Sequence, residues 1–275
     1  MTRANRLFTL AVFSLLFAFG SSLPAQDWAK AKLAQSPRHR EYVTVKHDGR
    51  AVTTFVVYPE VGTKAPVVVL IHEIFGLSDW LKLQADELAA KGYIVVAPDL
   101  LSGLGAGGGG SDALYASPGG QDAVIKAVMG LDESQVNADL NAVADYGKSL
   151  PSASGKLAVA GFCWGGGKSF DFATHRKDLS AAFVFYGPPP TAADMAKIAA
   201  PVYGFYAGND ARIGATVPQT IVDMKAADKF YQPVTYEGAG HGFMRAGQAP
   251  DASAANQKAF DEGFARLVKE LQAIK

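Results

Sequence analysis

Cysteine is almost absent from this chain: 275 residues contain one, Cys163. A single cysteine cannot close an internal disulfide, so no disulfide framework holds the fold. Taken alone, the thiol is equally a buried apolar filler or a chemical group, and its neighbours must decide. Charge of one sign is also missing. Lys plus Arg and Asp plus Glu both number 26. That balance excludes the basic excess of a nucleic-acid binder, and no charged block marks a polyanion partner. Long apolar runs are lacking too. Residues 7–20 make fourteen nearly continuous apolar positions, short of the about 20 that a membrane-spanning helix needs.

That stretch has another reading. Arg3 and Arg6 precede it, small residues follow to Ala25, and polar Gln26 comes next. A basic start, a short apolar core and a small residue before a polar one form a secretory signal peptide. Cleavage after Ala25 is expected, giving a periplasmic or secreted protein without a stable membrane span. The alternative is an uncleaved anchor. Residues 26–275 then form one α/β domain, with nearly half of the whole chain hydrophobic, enough for a sizeable core.

Along that domain, apolar strands alternate with helical segments. Residues 51–58 (AVTTFVVY), 67–71 (VVVLI), 93–97, 156–162 (KLAVAGF), 181–186 (AAFVFY), 201–206 and 233–236 read as strands. Residues 79–91, 132–150, 165–174, 217–230 and 251–274 read as helices, and residues 26–40 as a surface arm or short helix. The alternation predicts a mostly parallel sheet with helices on both faces. Residues 101–120, with GLGAGGGG at 103–110, read as a flexible loop or lid. They lack the Lys-Ser/Thr that a phosphate-binding loop needs at helix entry.

Ligands of such sheets bind at the carboxyl ends of the strands, so the residues just after each apolar run are the informative ones. After the fourth run comes Gly161-Phe162-Cys163-Trp164-Gly165, a G-x-C-x-G sequence at a sharp strand-to-helix turn. Glycines two before and two after the apex keep Cβ atoms out of the corner. The helix start favours a thiolate on Cys163. Asp210 follows the 201–206 strand, and Gly240-His241-Gly242-Phe243 follows the last one. Nucleophile, acid and histidine in that chain order match a Ser-His-Asp arrangement with cysteine in the serine position. His72 also falls in the site region and is the second candidate base. Glu73, beside it, would raise the thiol pKa, which suggests a nucleophile silent until substrate displaces the acid.

The segments HEIFGL (72–77), APDL (97–100), GFCWGG (161–166), Asn209-Asp210 and GHGF (240–243) together resemble the dienelactone hydrolase family, over nearly all of the chain from about Tyr42. The resemblance implies an α/β-hydrolase fold and a hydrolase of ester or lactone bonds, a carboxylic ester hydrolase acting on a small molecule without cofactor or metal. It implies Cys163 as nucleophile, His241 as base, Asp210 as its orienter and Glu73 as the acid that contacts the resting thiol. It also implies the backbone N–H groups of Ile74 and Trp164 as oxyanion donors. Arg245, Phe243 and Trp164 are the expected substrate contacts. One of two arginines that serve a substrate carboxylate in the family is missing, since Leu101-Ser102-Gly103 stands in its place. A reading of another class is a non-catalytic binding protein or thiol redox sensor on the same scaffold. If residues 1–25 are a signal peptide, N-terminal sequencing of the protein from a bacterial host should begin near Gln26 in an extracytoplasmic fraction. An intact Met1 in the soluble cytoplasm would refute export.

Overall fold

The computed structural model describes residues 26–274; the expected signal peptide lies outside them. In chain order the elements are α1 (Asp27–Ala34), β1 (Arg40–His47), β2 (Arg50–Val57), β3 (Ala65–Ile71), α2 (Asp79–Ala89) and β4 (Ile94–Pro98). Then follow α3 (Ser111–Tyr115), α4 (Gly120–Met129), α5 (Glu133–Ser149), β5 (Ala153–Phe162), α6 (Trp164–His175), β6 (Ala181–Phe185), α7 (Ala192–Met195) and β7 (Val202–Ala207). The chain finishes with α8 (Ala211–Gly214), α9 (Val217–Ala226), β8 (Tyr231–Tyr236), α10 (Phe243–Ala246) and α11 (Ala254–Gln272).

The eight strands form one sheet in the order β1-β2-β4-β3-β5-β6-β7-β8. Pairing is parallel from β4 through β8, while β1–β2 and β2–β4 are antiparallel. Successive strand side chains point to opposite faces, so the continuous apolar runs feed two cores. Val68, Leu70, Ala160, Phe162, Phe183 and Phe205 pack with α1, α2 and α11 on one face. Val67, Val69, Ile71, Val159, Val184 and Val202 pack with α5, α6, α7 and α9 on the other. The predicted layering is therefore observed. No described helix is long and apolar enough to cross a membrane.

Besides the short helices α7, α8 and α10, three segments differ from the sequence reading. Strand β1 was not anticipated; its burial is mixed and its polar residues carry no clean alternation. It is held by pairing with β2 and by Asp139 of α5. That carboxylate, 1% exposed, accepts from Arg50 Nε at 2.9 Å and lies 2.7 Å from His47 Nε2. Helix α4 was likewise missed, although Val124 and Val128 bury one stripe of it.

The third difference is the glycine-rich stretch, which is an ordered knot. Asp99, at the end of β4, accepts from the Leu101 N–H (3.1 Å), the Ser111 N–H (2.7 Å) and the Ser111 hydroxyl (2.7 Å). Ser111 Oγ in turn accepts from the Leu77 N–H at 2.9 Å. One buried carboxylate thus closes the 101–110 loop at both ends and ties it to the loop after β3. Asp99→Ala leaves those donors without an acceptor, at about 1–3 kcal/mol each when buried. It should lower the melting temperature and speed amide exchange across residues 101–115. Unchanged exchange there would show that the loop is held by something else.

Candidate active site

The corner between β5 and α6 is the most constrained point of the chain. Cys163 has φ +55° and ψ −117°, a conformation that a residue with a Cβ adopts only when its surroundings enforce it. Its N–H donates to Phe185 O at 3.0 Å, and its carbonyl accepts from Gly166 and Gly167 at 3.0 and 3.2 Å. The predicted glycines have a steric reason. A Cβ on Gly161 would stand 1.9 Å from Gly165 O, and one on Gly165 would stand 2.3 Å from His72 O. The first turn of α6 therefore lies directly against the exit of β3. That contact brings the Ile74 and Trp164 N–H groups to face the Cys163 sulfur.

The thiol is partly buried, and its pKa is raised. Burial is the main cause and the Glu73 carboxylate the second; the two N–H groups and the charge of Arg212 pull the other way and lose. The thiolate expected from the helix start is thus overridden at rest by desolvation and by a like-signed neighbour. Glu73 is 3% exposed and accepts from Arg245 Nε at 2.9 Å. Burial raises its pKa, against the opposing pull of Arg245 and, more weakly, of His241.

Asp210 and His241 meet across the same sheet edge. Asp210 Oδ2 is 2.5 Å from His241 Nδ1, while Oδ1 accepts from the Ile213 N–H at 3.2 Å and caps α8. Their loops are laced together. Gly208 N donates to Tyr236 O at 2.9 Å, Asn209 N to Ala239 O at 2.9 Å and Asn209 Nδ2 to Gly238 O at 3.0 Å. Asn256 Oδ1 of α11 accepts from the Gly240 N–H at 2.9 Å. His241 presents its other nitrogen on a side chain 32% exposed. Among the described residues, no hydrogen bond joins it to Cys163.

The remaining sequence candidates are placed differently from one another. Trp164 is partly exposed beside Cys163. Arg245 is engaged: besides Glu73 it lies over the Phe75 ring, 4.9 Å from its centroid. Phe243 needs correction as a substrate contact. It is 0% exposed and packs edge-on to Tyr186, 5.2 Å away, and against Tyr236; it supports the floor of the site because its apolar ring ends the core beneath β6 and β8. His72 is also fully buried, with Nδ1 2.7 Å from Glu73 O, so it does not offer a base to solvent or substrate.

Tyr186 was not singled out in the sequence. It ends the β6 run with φ +39° and is fully buried, with its ring 5.0 Å from His241. Its buried hydroxyl is turned toward the Glu73 carboxylate and the Met244 N–H. The signal was its place at the carboxyl end of a central strand, just before Gly187 and three prolines. Among the described residues, no cluster of three or more His, Cys, Asp or Glu is placed to hold a metal ion.

The model for the dienelactone hydrolase family matches residues 52–274, an interval that holds every residue of this site. The chain belongs to the dienelactone hydrolase family. A Yersinia pestis protein provisionally named a carboxymethylenebutenolidase is 30% identical over 217 residues, 74% of this chain and 79% of that protein. A Pseudomonas putida carboxymethylenebutenolidase is 28% identical over 203 residues, 72% and 84% of the respective chains. Among solved structures, the dienelactone hydrolase of Anabaena variabilis superposes with a TM-score of 0.61 at 18% identity, covering 83% of this chain and 98% of that one. A dienelactone hydrolase-like promiscuous phosphotriesterase from metagenomic libraries superposes with a TM-score of 0.70 at 21% identity, over 86% and 98%. The fold is thus the α/β-hydrolase fold, and the chain is a hydrolase of this family.

The charge next to the thiol can be tested directly. Removing the Glu73 charge removes one cause of the raised thiol pKa and frees Arg245, and both changes favour thiolate. In Glu73→Gln, the pH profile of Cys163 alkylation by iodoacetamide should therefore move to lower pH, with a several-fold faster rate at pH 7. A profile identical to wild type would remove Glu73 from control of the thiol.

Proposed function

We propose that the protein hydrolyses carboxylic esters or lactones through a thioester acyl-enzyme on Cys163. The arrangement that carries this reading is a strained cysteine facing two backbone N–H groups, at the sheet edge that also holds the Asp210–His241 pair at 2.5 Å. The thiol gives up its proton to His241, and the sulfur adds to the substrate carbonyl carbon. The negative charge forming on the carbonyl oxygen is received by the Ile74 and Trp164 N–H groups. The carbon–oxygen bond then breaks, and His241 returns its proton to the leaving oxygen. Water, deprotonated by His241, attacks the thioester, and the thiol leaves with that proton. Asp210 keeps the proton of the neutral imidazole on Nδ1, so that Nε2 is the working nitrogen.

Glu73 and Arg245 supply the control. At rest burial, with the Glu73 carboxylate as the second cause, keeps the thiol protonated. A substrate carboxylate competes for the Arg245 guanidinium and loosens Glu73. The sensor reading is weaker here, because a redox-sensing cysteine has a lowered pKa and open access, whereas this thiol is raised and partly buried. Export of the mature enzyme, as expected from residues 1–25, forms part of the same proposal.

The test is hydrolysis of p-nitrophenyl esters and small lactones by the purified protein, before and after iodoacetamide. Cys163→Ala should abolish turnover with the melting temperature nearly unchanged, and Asp210→Asn should reduce it by up to ~10⁴. Turnover retained by the alanine variant would place the nucleophile elsewhere.

A further inference from the structure

His72 is a buried ionisable residue that the mechanism above does not use. Its ring is 0% exposed. Nδ1 lies 2.7 Å from the carbonyl oxygen of Glu73. A carbonyl only accepts, so Nδ1 carries the proton. Nε2 is buried with no partner among the described residues, and burial lowers the pKa of the ring and keeps it neutral. A buried polar atom left without a partner is costly and calls for an explanation.

The explanation lies in what the ring holds. The Glu73 carbonyl and the Ile74 N–H belong to one planar trans peptide, in which C=O and N–H point in opposite directions. His72 Nδ1 and the Gly76 N–H (3.2 Å) both donate to that carbonyl. Fixing the oxygen from one side aims the Ile74 N–H to the other side, where the Cys163 sulfur lies. Hydrogen bonds to the carbonyl also polarise the peptide and strengthen its N–H as a donor. The face of the same imidazole stacks on the Trp164 indole, with centroids 5.3 Å apart and planes 13° from parallel. Trp164 carries the second N–H. The backbone of His72 completes the brace, since its carbonyl, together with that of Ile71, leaves no room for a Cβ on Gly165.

We propose that His72 is a positioning residue of the oxyanion site: its ring clamps the Glu73–Ile74 peptide and the Trp164 side chain, so that both backbone N–H groups converge on the acyl oxygen. The proposal rests on Cys163 being the nucleophile.

The test compares two reactions of the same sulfur in the full-length protein. Hydrolysis of p-nitrophenyl acetate forms an oxyanion. Alkylation by iodoacetamide is a displacement at saturated carbon and forms none. His72→Phe keeps a ring against Trp164 but removes the donor. It should lower kcat for the ester by about 10- to 100-fold, less than or near the loss of one oxyanion donor. KM should stay within about twofold, and alkylation should slow far less than turnover, its pH profile moving only slightly upward as the two N–H groups lose some of their pull on the thiol. His72→Asn, whose amide N–H falls near the Nδ1 position, should recover part of kcat, and His72→Leu, of similar size, should not.

Wild-type kcat in His72→Phe, equal losses in the Asn and Leu variants, or alkylation falling in step with turnover would each overturn the proposal. If the phenylalanine variant does not fold, the Asn–Leu pair decides alone. Failure of the Cys163 reading shows separately: complete alkylation of wild-type Cys163 would leave ester turnover intact.

Discussion

The rest of the site depends on one steric contact, the first turn of α6 pressed against the exit of β3 with only Gly165 between them. A packed interface without room for a Cβ cannot slide or breathe by small amounts. It fixes the Cys163 backbone in its strained conformation and sets the Ile74 and Trp164 N–H groups at a defined separation. The strain at Cys163 is local, and it is held by backbone hydrogen bonds to β6 and within α6. Two main-chain donors carried on different elements are only as well aimed as the contact between those elements.

Around that contact each carboxylate has a partner. Glu73 binds Arg245, and Asp210 binds His241. Each pair is mostly out of water, where an unpaired charge would be strongly disfavoured. The pairs differ in what they control. Asp210 sets the orientation of His241 and, with its other oxygen, the start of α8. Glu73 acts on the thiol at a distance, adding to the burial that keeps it protonated. A resting thiol is less exposed to oxidation than a resting thiolate, which suits a lone cysteine in a protein read as exported.

Much of this was legible in the residues. The strand runs stand out because strands buried on both faces are continuously apolar, and the β5–α6 corner stands out because glycines flank a polar apex. The order of Cys163, Asp210 and His241 carried the site. Strand β1 did not show, because an edge strand half in water has no hydrophobic signature. The 101–110 segment misled in the other direction. Glycine content signals freedom in an isolated chain, yet here Asp99 and Ser111, far from one another in sequence terms, remove that freedom by hydrogen bonding. The burial of Phe243 does not show in the sequence, because adjacency to His241 in a loop does not reveal which side chain turns inward.

The sequence by itself determined which chemistry was at hand: a single thiol at a strand-to-helix apex, an acid and a histidine at the ends of later strands, and no excess charge for a polymeric partner. These are local properties, encoded by composition and short spacing. The tertiary structure alone decided the state of each group. Only packing shows that the Cys163 thiol is pushed toward its protonated form, that Arg245 is held by Glu73, that the Tyr186 hydroxyl is buried beside Glu73 and that His72 is buried against Trp164. The reason is physical. Ionisation, strain and hydrogen-bond satisfaction depend on distance and desolvation between residues far apart in the chain, and no spacing along the sequence records either quantity.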